Sequence, residues 1–262
     1  MYFELKENKP HGTKDEPFSI YHMRNGGRSF QVPVHWHDEF EIVYVKSGLL
    51  TVSISGENYI GKPGDAFVVS PGNLHFMGSQ AGAVDYFTFL FPLKYISFRT
   101  DDMLDEQLLE PLNSGHLMIT PKVKDTVKEL CQQLIEIYVT ENDESQSKIT
   151  AQIKTKIVLL QIILEMWKLG FIVENDTSGR NTIEKEMVSY IQQNFTGKIL
   201  LREFGAQFHL SEKYISRYFK EHFHITLSQY VTYLRLEHAK QLLQDTDISV
   251  TEAALQSGYQ NV

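Results

Sequence analysis

The sequence predicts two domains: an N-terminal β-barrel or sandwich that carries an antiparallel helix pair, then an all-α domain in which a long helix joins two helix-turn-helix units. Three observations lead there. The first is length: 262 residues suffice for two hydrophobic cores when domains usually hold roughly 100–200. The second is a change of texture after Pro121, from short runs of Val, Ile, Tyr and Phe punctuated by glycine turns to apolar residues at helical spacing. The third is a weak, ordered internal repeat, in which the segment from Leu201 to His209 aligns with that from Val250 to Gly258 at a constant offset.

Composition narrows the class. With 42% hydrophobic and 22% charged residues, the chain belongs with folded rather than disordered proteins. Its net charge is −8, so bulk charge announces no nucleic-acid or anionic-membrane partner. The charge is uneven: 17 basic and 24 acidic residues lie up to Arg180, and 8 and 9 after it, which divides the total into −7 and −1. The single cysteine, Cys131, forms no internal disulfide, asks for no oxidising compartment and reads as inert core. The N-terminus lacks a signal-peptide pattern, and the most apolar stretch, Ile157 to Trp167, is too short to span a bilayer. A cytoplasmic protein without a membrane segment is expected.

From about Phe18 to Phe91 the turn signals Asn25-Gly26-Gly27, Ser47-Gly48, Ser55-Gly56, Pro63-Gly64 and Pro71-Gly72 separate short strands, the pattern of a sandwich or small barrel. Val123, Val127, Leu130, Leu134, Ile137 and Tyr138 then predict one helix over about 122–140, and a second runs over about 149–169. The apolar breadth of the second, from Ile157 through Leu160 and Leu164 to Trp167, exceeds one packing face, which predicts a two-fold dimer contact. Residues 1–173 are therefore taken as the first domain, the polar stretch 174–181 as a linker and 182–262 as the second domain.

Within the repeat, Gly205 and Ala254 are the tiny residues that let a following helix approach, as helix-turn-helix geometry requires. His209-Leu210 forms the first turn, Ser211 caps a helix over 212–223, Thr226-x-x-Gln229 opens a long helix through Leu243, and Ser249-x-x-Glu252 opens the second copy. On the 212–223 helix, Lys213, Ser216, Arg217 and Lys220 share one face, while Ile215, Tyr218, Phe219 and Phe223 mostly occupy the other. Such a face can reach guanine edges and phosphates. Read alone, it is also what an ordinary solvated helix shows.

The segments Leu210-Ser-Glu-Lys-Tyr-Ile-Ser-Arg-Tyr-Phe-Lys220, Leu234-Arg-Leu-Glu-His-Ala-Lys-Gln-Leu-Leu243 and Ile248-Ser-Val-Thr-Glu-Ala-Ala-Leu-Gln-Ser-Gly-Tyr259 resemble, in order and spacing, the AraC/XylS family of bacterial transcription regulators. The resemblance covers roughly residues 182–262. It implies that Lys213, Ser216 and Arg217 face bases, that Lys220 lies near phosphate, and that the partners are a double-stranded operator, a small-molecule effector, RNA polymerase and a second copy of the chain. Gly205 stands where Ala is usual and His238 where Arg is common. By the repeat's offset Val262 corresponds to Lys213, so the second recognition helix is expected to be incomplete and DNA binding correspondingly weak.

In the first domain, His35-x-His37-x-x-x-Glu41 reads as part of one strand, whose positions 35, 37, 39 and 41 project to one side, and with His75 downstream it resembles the two signature segments of a cupin barrel. That resemblance implies four side chains converging on one point, a donor set suited to Fe, Mn, Ni, Cu or Zn. Taken with the AraC-like segments, it implies a cupin-like sensor whose His35, His37, Glu41 and His75 line an effector pocket for a small polar metabolite such as a sugar, with no resident cofactor. Trp36 and Tyr44 read as packing residues. A metal-dependent cupin enzyme with an accessory helical domain is the alternative, and a protein-interaction module the third reading. The length and order of the helical motifs favour the regulator, and no general base or nucleophile is paired to the barrel residues.

Overall fold

The computed structural model describes residues 11–79, 82–98, 102–123, 127–141, 148–175, 178–222, 226–246 and 248–259. The chain divides into two compact units near residues 178 and 179.

In the first unit, strands β1 (Ser19–Arg24), β3 (Phe40–Ser47), β6 (Ala66–Val69), β8 (Asp85–Phe91) and β10 (Lys122–Val123) form a five-stranded sheet in the order β1-β8-β3-β6-β10. Strands β2 (Phe30–His35), β4 (Leu50–Ile54), β5 (Glu57–Gly61) and β7 (His75–Ser79) form a four-stranded sheet in the order β2-β7-β4-β5. All pairings within these sheets are antiparallel.

The two-residue period of a strand explains why β3 is buried from Phe40 to Val45. Val43 and Val45 join Leu50, Val52, Ile54, Phe67 and Met77 in the core between the sheets. Phe40, Ile42 and Tyr44 point the other way, into a second core that includes Cys131, Leu134, Leu159 and Ile162. The helices of that second layer are α2 (Lys128–Glu141) and α3 (Lys148–Lys168), which also pack on each other. Cys131 is fully buried, and burial pushes its thiol up to about 12, so it is inert.

The first helix of the pair starts at Lys128, not near residue 122. Lys122 and Val123 instead extend the larger sheet opposite Phe67 and Ala66, where Val123 is buried and Lys122 pairs with Asp65 at 2.8 Å. Ahead of α2 lie a single π-turn over Asp105–Leu109, the short helix α1 (Glu110–Asn113) and strand β9 (Leu117–Ile119). Strand β11 (Ile172–Glu174) pairs with β9. Glu174 thus belongs to a strand, and helix α4 (Ser178–Asn194) begins inside the expected linker 174–181.

The second unit holds α4, α5 (Leu201–Gln207), α6 (Glu212–His222), α7 (Leu227–Asp245) and α8 (Val250–Gln256). Met187, Ile191, Phe195, Phe204, Ile215, Phe219, Tyr230 and Leu234 are buried here. The Arg235 guanidinium donates to the carbonyls of Phe195 and Gly197, each at 2.7 Å, tying α7 to the chain just after α4. Both predicted capping boxes form, Thr226 with Gln229 and Ser249 with Glu252, and the Ser211 hydroxyl accepts the Tyr214 N–H at 3.2 Å. Phe223 and the expected start of a second recognition helix lie outside the described residues.

Candidate functional site

The repeat is structural as well as sequential. After α5, Leu210 N–H donates to the Gly205 carbonyl at 2.8 Å and His209 N–H to Ala206 at 3.3 Å, with His209 left-handed at φ 55°. After α8, Tyr259 N–H donates to Ala254 at 3.1 Å and Gly258 N–H to Leu255 at 3.0 Å, with Gly258 at φ 93°. These are two copies of one glycine-type helix stop. A β-carbon on Gly205 would lie 2.5 Å from the Leu210 carbonyl oxygen and 3.3 Å from Ile215 Cδ1, so the absent side chain is what lets the turn close against α6.

The faces of α6 are as expected. Lys213, Ser216, Arg217 and Lys220 are exposed, while Ile215, Tyr218 and Phe219 are buried. The Arg217 guanidinium lies 5.8 Å from the centre of the Tyr214 ring, a cation–π distance that pre-orders it on the helix surface.

The barrel cluster forms by a route the sequence did not indicate. His35 to Glu41 are not one strand: β2 ends at His35, β3 begins at Phe40, and His37 lies in the corner between them. A register shift between Val32 and His35 sets His35 opposite His75 at the start of β7. Alternation along one strand therefore does not align the side chains. The corner brings His37 round, with its ring Nδ1–H donating to the Glu39 carbonyl at 3.0 Å.

His37, Glu41 and His75 are each 1–2% exposed, and nitrogens of His35, His37 and His75 lie within 4.8 Å of one another. His75 Nδ1–H donates to the Asn73 carbonyl at 2.9 Å. With both Nδ1 atoms committed to carbonyls, both Nε2 atoms turn towards the same carboxylate oxygen. Glu41 Oε2 is 3.3 Å from His37 Nε2 and 3.0 Å from His75 Nε2, the latter without an aligned hydrogen bond. Burial disfavours the charged forms, yet the imidazoles hold the Glu41 carboxyl well below its ordinary range. Burial likewise opposes a charged His37, but Glu41 and Glu39 together raise it.

Lone pairs of two neutral imidazoles facing a carboxylate repel, so this arrangement calls for positive charge, carried by protons or by a cation. Three imidazoles, two of them (His37 and His75) oriented through Nδ1–H bonds to backbone carbonyls, together with the Glu41 carboxylate, fit a divalent transition metal. The sequence reading missed His11. It is buried, its Nδ1 is 3.0 Å from the Tyr21 hydroxyl and its ring packs edge-on against His37 at 5.7 Å. It precedes the first strand, outside any spaced motif, so nothing in the sequence marked it.

Comparison with known proteins assigns both units. Residues 17–163 match the family model described as an AraC-like ligand binding domain, and residues 204–262 match a helix-turn-helix domain. The chain belongs to the AraC/XylS family. This AraC-family chain is 27% identical to the uncharacterized HTH-type transcriptional regulator YdiP of Escherichia coli, over 87% of this chain and 74% of the relative. It is 27% identical to the uncharacterized regulator YdeC of Bacillus subtilis, over 97% and 88%. It is 24% identical to the HTH-type transcriptional activator RhaS of Salmonella schwarzengrund, over 87% and 79%. The chain is a transcriptional regulator with a cupin-like ligand-binding domain and a DNA-binding helix-turn-helix domain. No helix among the described residues is long and apolar enough to cross a membrane.

Proposed function

We propose that this AraC-family regulator reads an operator through α6 and gates that reading through a barrel that senses a small polar metabolite such as a sugar. The observation that carries the proposal is the division of α6, with Lys213, Ser216, Arg217 and Lys220 exposed over a buried Ile215, Tyr218 and Phe219. Donors raised on an exposed helix suit the major groove, where guanine edges accept bidentate contacts. In the barrel the effector meets half-buried His35, with His37, Glu41 and His75 behind it. We assign these residues no catalytic role, because His37, Glu41 and His75 are almost fully buried and face one another. The protein acts in the cytoplasm as a homodimer that engages RNA polymerase and activates transcription.

The test enriches a random duplex pool with the full chain, then titrates the selected duplex and a scrambled one at two salt concentrations. Weak enrichment of a common site, with an affinity that falls with salt, is expected, and absence of any enrichment overturns operator reading. With that site in a reporter, an aldose panel identifies the inducer. Glu41→Gln and His37→Gln then lose induction while DNA affinity stays within about twofold, and undiminished induction by Glu41→Ala defeats the effector assignment.

One observation favours a second use of the cluster, as a seat for a divalent metal: two Nε2 atoms face one buried carboxylate oxygen. Metal analysis of chelator-free protein, with His75→Ala as control, decides it. About one equivalent of Fe, Mn, Ni, Cu or Zn, lost in the variant, supports the metal. Metal-free protein leaves a proton-bridged cluster.

A further inference from the structure

A cavity of about 290 Å³ lies in the first unit, away from the histidine cluster, between the start of β1 and helices α2 and α3. None of His35, His37, Glu41 and His75 lines it. Its walls divide by chemistry. Phe18, Ile20, Leu134 and Ile137, with the rings of Tyr95 and Tyr138, form an apolar body. Lys148, Gln152 and Thr155, on one face of the first two turns of α3, form a polar stripe.

Three features make that stripe a site for negative charge. Lys148 makes no ion pair among the described residues, and no acidic residue shares the first turn of α3 with it. Thr155 is only 5% exposed, yet its hydroxyl makes no hydrogen bond to any described residue although the side chain lines the cavity. A second cation, Lys156, sits 4.6 Å from the centre of the Tyr95 ring. Glu16, on the facing segment, is the only carboxylate among the described lining residues and makes no ion pair with Lys148. The Gln152 amide is committed to the Asp15 carbonyl at 3.2 Å, which fixes the segment before β1 against α3 and shapes that side of the cavity.

We infer that this cleft is a second ligand site, for a small amphipathic carboxylate whose apolar body lies against Phe18, Ile20 and Ile137 and whose carboxylate takes donors from Lys148 and Thr155. At about 30 Å³ per water-sized group, the cavity holds on the order of ten non-hydrogen atoms, the size of an arylacetic or medium-chain aliphatic acid. The site goes beyond the effector reading above, since no residue of the histidine cluster takes part.

Phenylacetate is the probe, with 2-phenylethanol as its uncharged analogue and phenethylamine as its cationic one, each titrated into the methyl-labelled full chain. Phenylacetate is expected to bind saturably with a Kd of about 1 mM or tighter, moving the methyl resonances of Ile20, Leu134, Ile137 and Thr155. The alcohol and the amine should bind at least about tenfold more weakly. Lys148→Met, at an exposed position, should weaken phenylacetate about tenfold, and Ile137→Trp should abolish its binding by filling the cavity. Absence of saturable binding, tighter binding of the amine, or full affinity in both variants overturns the site. Each of these outcomes leaves the Glu41 and His37 induction tests untouched, so the two assignments fail separately.

Discussion

His209 and Gly258 hold the same left-handed backbone position in the two copies of the repeat, at φ 55° and 93°. Glycine adopts that conformation freely, whereas a side chain there costs about 1 kcal/mol. His209→Gly is therefore expected to strengthen the α5–α6 unit by up to about 1 kcal/mol, less the entropy that glycine adds to the unfolded chain. Gly258→Ala should do the reverse, because its β-carbon would fall 2.4 Å from the Thr196 carbonyl oxygen. Amide hydrogen exchange reads both: slower exchange across α5 and α6 for the first variant, at least about tenfold faster exchange in α8 for the second. Equal exchange in both variants contradicts the shared geometry.

Arg217 and Lys220 are exposed on the same face of α6 but should fail differently when removed. Arg217→Ala is expected to relax specificity at particular base pairs by about 1–3 kcal/mol, because only a guanidinium grips guanine bidentately. Lys220→Ala should weaken all duplexes alike and reduce the salt slope by about one unit. Titration of selected and scrambled duplexes at two salt concentrations separates them. Unchanged discrimination after Arg217→Ala rules out its base contact.

Along α3, Ile149, Ile153, Ile157, Leu164 and Trp167 are between 48% and 70% exposed. Val158, Ile162 and Ile163, by contrast, are buried against the sheet. An apolar stripe on the outer side of a helix that already packs a full inner side is the expected dimer contact. Ile157→Glu combined with Leu164→Glu should yield folded monomers by sedimentation at micromolar concentration, whereas Leu160, which is partly buried against the core, is the poorer target. A monomeric unaltered chain under those conditions removes the dimer.

Burial opposes the charge on Asp65, yet Lys122 at 2.8 Å and the Lys62 N–H at 3.0 Å hold its carboxyl below the ordinary value. A lowered carboxylate stabilises the fold above its unfolded-state value, near 3.8, and loses that contribution as pH falls through the folded-state value. Asp65→Asn should accordingly cost about 0.5–1 kcal/mol near neutral pH, the range of a solvent-screened pair, and almost nothing at strongly acid pH. Urea midpoints of the two proteins at neutral and acid pH measure it, and a gap that persists undiminished in acid assigns the loss to packing.

The helical unit was the more legible half of the sequence because its signals are local. Ser211, Thr226 and Ser249 cap within three residues of themselves, and the two faces of α6 follow from a period of 3.6. The barrel was legible in class but not in joints. Val123 fits a helical period with Val127 as well as it fits a strand, and only the edge of β6 decides between them. His35, His37, Glu41 and His75 were identified as a group, but the means of their convergence depends on a bulge and a corner, which leave no periodic trace. The cavity beside α3 could not be read at all, since it joins residues from the segment before β1 to a helix far along the chain.

From Phe40 to Val45, β3 is enclosed on both sides, its odd positions facing the opposite sheet and its even ones the helix layer. That stretch has no idle positions. A change at Val43 disturbs one core, a change at Ile42 the other, and Glu41 is bound to two elements at once. Room for substitution without reworking either core lies instead in the corner between β2 and β3, where Trp36 and Glu39 are only half-buried.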